Sequence, residues 1–387
     1  MAEMEYDVSK AAGEALNAIQ EHLKNLKHLN IAVIGRSGVG KSTLINSVFR
    51  DDLAETGTGT PVTQDFKKIS KDNYPLSIWD TPGFELGSDK QKEIMAQLVS
   101  IIKDGAKSSS INDRIHCIWY CINTASNRVE PMEIEWIREF TNENKITNVP
   151  VIIVLTKSFQ KSDARTMKEE IEKENLDVKK VVPVLAQDIE INDEYIAKAY
   201  GLETLVTVMG EVLPNELQRT LQNVQNVSLK AKRKAAQAVI ATSVAAAFGE
   251  GFAPVPFSDA ALLVPTQLAM IGSITAVYGL EISKGVLTGV ISATIGTAGA
   301  TVLGKTVVTN IIKLIPGFGT VVGGAISGAT AGVITTALGE AYIVVMEMLK
   351  RGEISADDLS TEKGKKTIAD IFIGFLKRKK KLDDYEV

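Results

Sequence analysis

An α/β domain on a mostly parallel, doubly wound sheet, followed by an all-α hydrophobic helical domain rich in small residues, is predicted by three observations. Apolar runs alternate with polar, helix-like segments from residue 29 to residue 185. A glycine-rich loop directly follows the first of these runs. Between residues 235 and 349 only eight charged residues occur. At 387 residues the chain has room for two or three domains, and a formal net charge of −4 excludes a protein that coats nucleic acid, so no DNA partner is expected. The start, Met1-Ala2-Glu3-Met4-Glu5-Tyr6-Asp7, is acidic and lacks an apolar core. It does not read as a secretory signal, and a cytoplasmic location is expected, peripheral or integral at the cytoplasmic face if the chain meets a membrane.

The first element is a helix ahead of the first strand, because Leu16, Ile19, Leu23 and Leu26 recur at three- and four-residue intervals. The run Leu29-Asn30-Ile31-Ala32-Val33-Ile34 then reads as a buried strand, and Gly35-Arg36-Ser37-Gly38-Val39-Gly40-Lys41-Ser42 follows it without a spacer. That strand, loop and coming helix make a P-loop NTPase domain. Glycines let successive N–H groups turn toward an anion, and the helix that follows presents its positive end to the same anion. Residues 35–43, ending in Thr43, are therefore the expected binding set for a nucleoside triphosphate. Lys41 reaches the β and γ phosphates, and Ser42 offers a hydroxyl to Mg²⁺.

Further strands are expected at 76–79, 115–122, 151–155 and 181–185. The second of the phosphate motifs, Asp80-Thr81-Pro82-Gly83, stands at the end of the 76–79 strand, where Asp80 can hold Mg²⁺ through water. Cys117 and Cys121 lie four apart on one face of a strand and read as reduced core residues rather than as a metal site.

With Thr56-Gly57-Thr58-Gly59-Thr60-Pro61-Val62-Thr63 between the two motifs, the chain resembles the Era-like and septin-like GTPases of the translation-factor class over roughly residues 30–212. The resemblance implies GTP/GDP and Mg²⁺ as ligands. It implies that Thr63, with Thr60 as second choice, closes onto Mg²⁺ and the γ-phosphate. It also implies Lys41, Thr63 and Gly83 as the catalytic set, and Ser42, Thr63 and Asp80 around the metal. Thr156 and Lys157 match the family's guanine-reading Asn/Thr-Lys-x-Asp, and Ala186 matches its backbone contact to the guanine oxygen. Phe159, however, occupies the Asp position, which puts base selectivity in question; Asp163 reaches the base only if the loop 158–162 is rearranged. Phe84 stands where Ras-type enzymes keep the water-orienting glutamine, so slow hydrolysis is expected. Gly38 replaces the asparagine of potassium-activated relatives. Arg36 acts across a homodimer of G domains as an arginine finger, or else lies over the nucleotide or in solvent.

Beyond the G domain, a polar helical connector is expected at 213–237, with Lys230, Lys232, Arg233 and Lys234, and a hydrophobic helical domain at 238–387. Three uncharged stretches, 260–280, 285–304 and 314–339, are each long enough to cross a bilayer. Fourteen of the chain's 30 glycines fall between Gly272 and Gly339. Small residues four apart, such as Gly285 and Gly289 or Gly324 and Gly328, allow close helix approach in a membrane or in a soluble bundle. At the C-terminus, Ile368, Ile371, Phe372, Phe375 and Leu376 form a helical stripe that runs into Lys377-Arg378-Lys379-Lys380-Lys381. This amphipathic end suits an anionic membrane surface, the alternative being a stripe packed on the helical domain with a solvated basic tail. Membrane association through 260–340 and this helix is expected. The set Ala253-Pro254-Val255-Pro256, Gln267-Leu268-Ala269-Met270, Ile315-Pro316-Gly317-Phe318-Gly319 and Leu338-Gly339-Glu340-Ala341-Tyr342 resembles an uncharacterised bacterial domain found behind Era-like GTPase domains, over roughly residues 235–350. That family brings no chemistry with it.

The expected function is a GTP-binding switch with slow Mg²⁺-dependent hydrolysis, coupled to the helical domain. Two alternatives stand beside it. One is a ribosome- or RNA-associated assembly GTPase. The other is a self-assembling structural membrane GTPase in which hydrolysis is incidental.

Overall fold

A computed structural model of the chain describes residues 8–49, 53–54, 67–71, 74–81, 89–126, 128–192, 195–250, 260–280, 282–294 and 328–383. They form two compact units, one of residues 26–228 and one that joins 1–25 to 229–387. The chain therefore passes between units twice. The expected leading helix belongs to the second unit, and the expected connector at 213–237 is divided between the two.

In the 26–228 unit the strands are β1 (Leu29–Gly35), β2 (Lys67–Ser70), β3 (Leu76–Asp80), β4 (Cys117–Asn123), β5 (Val151–Thr156) and β6 (Lys180–Pro183). They form one sheet in the order β2-β3-β1-β4-β5-β6, parallel throughout except for the β2–β3 edge pair. The sequence of β4, CIWYCIN, explains why it sits near the middle. Cys117, Trp119 and Cys121 enter the hydrophobic layer on one face, and Ile118, Tyr120 and Ile122 enter the other. A strand with no polar face has to be covered on both sides. Both cysteines are free and buried on the same face, and their thiols are pushed up to about 12 by burial.

The helices of this unit are α2 (Lys41–Val48), α3 (Asp89–Lys107), α4 (Pro131–Asn144), α5 (Lys161–Lys173), α6 (Leu202–Val212) and α7 (Asn215–Val224), with α1 (Val8–Lys24) lying in the other unit. Leu44 and Ile45 of α2 and the apolar faces of α6 and α7 fill the layer that holds Trp119, whose ring stacks on Phe49 at 5.7 Å. Ile94, Leu98 and Ile102 of α3, Trp136, Ile137 and Phe140 of α4, and Met167 and Ile171 of α5 fill the opposite layer. Each such side chain contributes about 1.5–3 kcal/mol on burial. A hairpin of β7 (Ile189–Asn192) and β8 (Tyr195–Ala197) follows β6, in a region where no strands were expected.

The other unit packs α1 with α8 (Leu229–Glu250), α9 (Ala260–Tyr278), α10 (Lys284–Thr294), α11 (Gly328–Lys350) and α12 (Glu362–Asp383). Its glycines mark close approaches. A Cβ on Gly272 would stand 3.1 Å from Ala18 Cβ of α1, and one on Gly289 would stand 2.4 Å from the Leu359 carbonyl oxygen. Gly285, four residues earlier, has only Ser283 Oγ at 3.7 Å. Ile368, Phe372 and Leu376 of α12 are buried in the same core, so these residues of the stripe pack against protein. Among the described residues one helix segment is long and apolar enough to span a bilayer, Gly332–Lys350, and 61% of it is buried within the protein. It carries a polar cluster. Glu347 accepts from Arg233 Nε and Nη2, both at 2.8 Å, and from Tyr278 Oη at 3.2 Å. Lys232, fully buried, donates to the carbonyls of Val277 (3.0 Å) and Tyr278 (3.3 Å) at the end of α9, and burial holds its pKa well below the ordinary lysine value.

Candidate functional site

β1 delivers the phosphate loop at its carboxyl end. Gly35 has φ +151°, and a Cβ there would lie 2.5 Å from the Cys121 carbonyl oxygen of β4, so only glycine lets the loop leave the strand beside its neighbour. Gly40, at φ +98°, is the N-cap of α2 and accepts from Leu44 N at 3.0 Å. Its left-handed turn leaves the first N–H groups of α2, including those of Lys41, Ser42 and Thr43, without intrahelical partners, which is the arrangement an anion satisfies.

Lys41 is 8% exposed, and its ammonium folds back onto the loop, donating to Gly35 O (3.0 Å) and Arg36 O (3.4 Å). Burial lowers its pKa, opposed by the charge of Asp80. An ammonium in that position favours incoming phosphate. Asp80, 2% exposed, ends β3 opposite Val33 of β1, and Thr81 donates from both N and Oγ1 to Val33 O at 3.2 Å. Thus the two motifs, distant in sequence, meet where two parallel strands end. The hydroxyl of Ser42 and the carboxylate of Asp80 are hard oxygen donors suited to Mg²⁺. Among the described residues no group of three or more His, Cys, Asp or Glu converges on a metal position.

The base-reading positions also come to this end of the sheet. Thr156 Oγ1 reaches Val39 O at 2.6 Å and Ile122 O at 3.1 Å, tying the phosphate loop to β4 and β5. Lys157 has φ +51°, and its Cε lies 3.8 Å from where a Gly40 Cβ would stand, so its stem runs beside the loop. Ser158 N donates to Val184 O at 3.2 Å, which sets Thr156 and Lys157 next to the 184–186 segment and the half-buried Ala186. Phe159 is half-buried in the turn that follows. Asp163 lies in the first turn of α5, half-buried, with Oδ1 accepting from Ser162 Oγ at 3.1 Å. Thr60, Thr63, Gly83 and Phe84 lie outside the described residues.

One partner of the loop is distant in sequence. Arg36 Nη1 donates to Glu130 Oε1 at 3.2 Å, with Glu130 at the N-cap of α4. Both side chains are partly exposed, so the pair is worth at most about 1 kcal/mol and yields readily to a phosphate or a second protein. Beneath it, Tyr120 Oη donates to Glu133 Oε1 at 3.1 Å. Burial raises the Glu133 pKa, while the Tyr120 hydrogen bond and the Arg36 charge oppose that rise. Only Pro131, at the first position of α4, hinted that Glu130 would cap a helix there.

Comparison with known proteins agrees with this geometry. Residues 30–157 match the family described as 50S ribosome-binding GTPase, and residues 215–372 match a domain of unknown function, DUF697. Neuronal-specific septin-3 of Danio rerio is 26% identical over 168 residues, covering 38% of this chain and 46% of that protein. Human septin-9 is 26% identical over 168 residues, covering 37% and 27%. The chain thus spans less than half the length of these relatives. A septin GTPase domain structure from Chlamydomonas reinhardtii aligns with TM-score 0.37 at 17% identity, covering 50% of this chain and 94% of that one. An Era structure in complex with MgGDPNP and 16S ribosomal RNA aligns with TM-score 0.34 at 23% identity, covering 49% and 58%. The resemblance read from the motifs therefore holds in both halves, and the N-terminal match supports binding of GTP and GDP.

Proposed function

We propose that this chain, whose residues 30–157 form a GTPase-family domain, hydrolyses GTP slowly with Mg²⁺ and uses the nucleotide state to control the helical unit. The observation that carries this reading is the buried Lys41 ammonium held over the phosphate loop beside Asp80, with α2 opening toward the same point. In the reaction, Lys41 and the N–H groups of residues 38–43 bind and orient the β and γ phosphates. Ser42, Asp80 and Thr63 would hold Mg²⁺, which would supply positive charge to offset that of the phosphate oxygens. Arg36 contributes when a second G domain or a partner draws it from Glu130. With Phe84 in place of a water-orienting glutamine, unassisted turnover is slow.

Release of phosphate from GTP by the purified chain, with Mg²⁺ and with EDTA, tests this directly. Slow Mg²⁺-dependent turnover is expected. Lys41→Ala should weaken nucleotide binding by about tenfold to a hundredfold, as loss of a charge-assisted contact of about 1.5–3 kcal/mol requires. Turnover unaffected by EDTA or by Lys41→Ala would remove the reading.

Coupling to the helical unit is supported by the far end of α2. The carbonyl of Val48 accepts from Asn226 N at 2.8 Å, and that of Phe49 accepts from the Asn226 side chain. Asn226 stands three residues before α8, in a turn held by the fully buried Gln225, whose Oε1 accepts from Val227 N and Ser228 N, both at 2.8 Å. One helix thus links the phosphate loop to the start of the segment that enters the other unit. Protease sensitivity across 213–237 should differ between GDP and a GTP analogue in the wild type, and Asn226→Ala should abolish the difference while leaving nucleotide affinity unchanged. Membrane association of the helical unit is part of the same reading, supported by the Gly332–Lys350 helix segment and the basic run 377–381. Flotation with vesicles rich in anionic lipid should recover the full chain, and salt near 1 M should reduce that recovery.

A second reading, ribosome association, is favoured by the description of the matched family. Co-sedimentation with ribosomes at physiological salt separates it from the membrane reading.

A further inference from the structure

On the face of the G domain formed by α3 and α4 lies a groove of about 680 Å³. Its apolar floor is made by Met95 and Val99 of α3 and by Met132 and Trp136 of α4. Met132 is 50% exposed, one of few large apolar side chains so open among the described residues. The lining runs along α3 from Gln91 to Lys107 and along α4 from Met132 to Glu143. At 1.5 Å per helical residue, that is a trough roughly 17–24 Å long, the length of a helix of three to four turns rather than of a compact small molecule.

The walls differ in charge. Lys92, Lys103 and Lys107 stand on the α3 side, while Glu135, Glu139 and Glu143 stand on the α4 side at four-residue spacing. Asp104, the acid on the α3 wall, is held by Lys107 at 2.8 Å, and Lys103 bridges to Glu143 at 3.4 Å. Lys92, Glu135 and Glu139 have no ion-pair partner among the described residues. A basic wall and an acidic wall on either side of an apolar floor specify an occupant. We infer that this groove docks an amphipathic helix of a partner protein whose apolar stripe is flanked by acidic residues on one side and basic residues on the other. The acidic flank lies along α3 and the basic flank along α4, which fixes the direction in which the helix binds. Electrostatic complementarity of this kind selects among partners more than it adds raw affinity.

The proposal is independent of which nucleotide the domain binds. Three fluorescently labelled helical peptides of fourteen residues test it, all with the same Leu/Met stripe. Their flanks carry Glu on one side and Lys on the other, Glu on both, or Lys on both. Anisotropy with the full chain should show the mixed peptide binding at least tenfold tighter than either uniform one. Met132→Asp, at an exposed position, should weaken it at least tenfold while far-UV circular dichroism stays unchanged. The double variant Lys92→Glu with Lys103→Glu should transfer the preference to the all-Lys peptide. Failure of all three peptides to bind, equal binding of all three, or indifference to Met132→Asp would overturn the inference. So would sedimentation of the chain alone as a dimer that Met132→Asp dissociates, since the groove would then be an interface between copies.

Discussion

His116 predicts how the stability of the G domain depends on pH. Its ring is 6% exposed at the start of β4. Nδ1 accepts from Asn30 N at 2.9 Å, so the proton sits on Nε2, which donates to Ile111 O at 2.8 Å. A second proton would have to enter at Nδ1 and face an N–H. Burial, with smaller contributions from the charges of His28 and Arg114, brings this imidazole from 6.5 down to about 4. Between those values the unfolded chain holds a proton that the folded chain refuses, so stability falls as pH drops from 6.5 and the loss is complete near 4. At about 1.4 kcal/mol per pH unit the interval costs about 3 kcal/mol. Glu133 acts with the opposite sign, since a raised carboxyl pKa favours the folded state in acid, and a comparison with His116→Asn cancels its contribution. Asn keeps an acceptor at the δ position for Asn30 N and does not titrate. All three tryptophans, Trp79, Trp119 and Trp136, lie in the 26–228 unit, so urea unfolding followed by tryptophan fluorescence reports on this unit alone. Between pH 7 and pH 4 the wild type should lose about 3 kcal/mol more than His116→Asn. Parallel curves for the two proteins would refute the argument.

Thr156→Val should leave the Val39 carbonyl without its 2.6 Å donor and cost about 1–3 kcal/mol in urea unfolding, with a further loss of nucleotide affinity because the phosphate loop is no longer tied to β5. In the helical unit, Gly289→Ala drives a methyl toward the Leu359 carbonyl and should cost about 1–3 kcal/mol, whereas Gly285→Ala makes only an ordinary contact with Ser283 Oγ and should be neutral or stabilising by up to about 1 kcal/mol. Thermal melts by circular dichroism at 222 nm separate the two. Glu347→Ala removes the acceptor of Arg233, Tyr278 and Arg351 and should lower stability by about 3 kcal/mol in the same melts, against well under 1 kcal/mol for the exposed pair partner Glu353→Ala.

The parts of this molecule that could be read from its sequence are those where local chemistry determines structure. The continuous apolar runs of β1, β4 and β5 announce strands covered on both faces, and Gly35 and Gly40 announce a loop whose backbone must go where side chains cannot. α1 was legible as an amphipathic helix, but an apolar stripe does not name its partner, and its union with residues 229–387 emerged only in the fold. The same holds for the glycines. Spacing announces that helices approach closely, and packing decides that a side chain at Gly289 collides with backbone while one at Gly285 does not. At the site, the residues proposed to hold phosphate and metal follow from motifs, whereas the Arg36–Glu130 pair joins residues 94 apart with no periodicity to signal it. Thr156 is expected as part of the base-reading motif, and the fold adds a contact that the motif does not announce: its hydroxyl engages the phosphate loop and β4, set by the register of β4 against β5.

The claim on which the rest depends is guanine nucleotide binding by a domain that has Phe159 where a carboxylate would read the base. Titration of fluorescently labelled GTP and ATP into the full chain, with Mg²⁺, tests it most directly. The account predicts GTP binding at least tenfold tighter than ATP, with the preference lost in Asp163→Ala if that carboxylate has taken over base reading. Equal affinity for the two nucleotides would contradict guanine selectivity, and failure to bind either would contradict the nucleotide site itself.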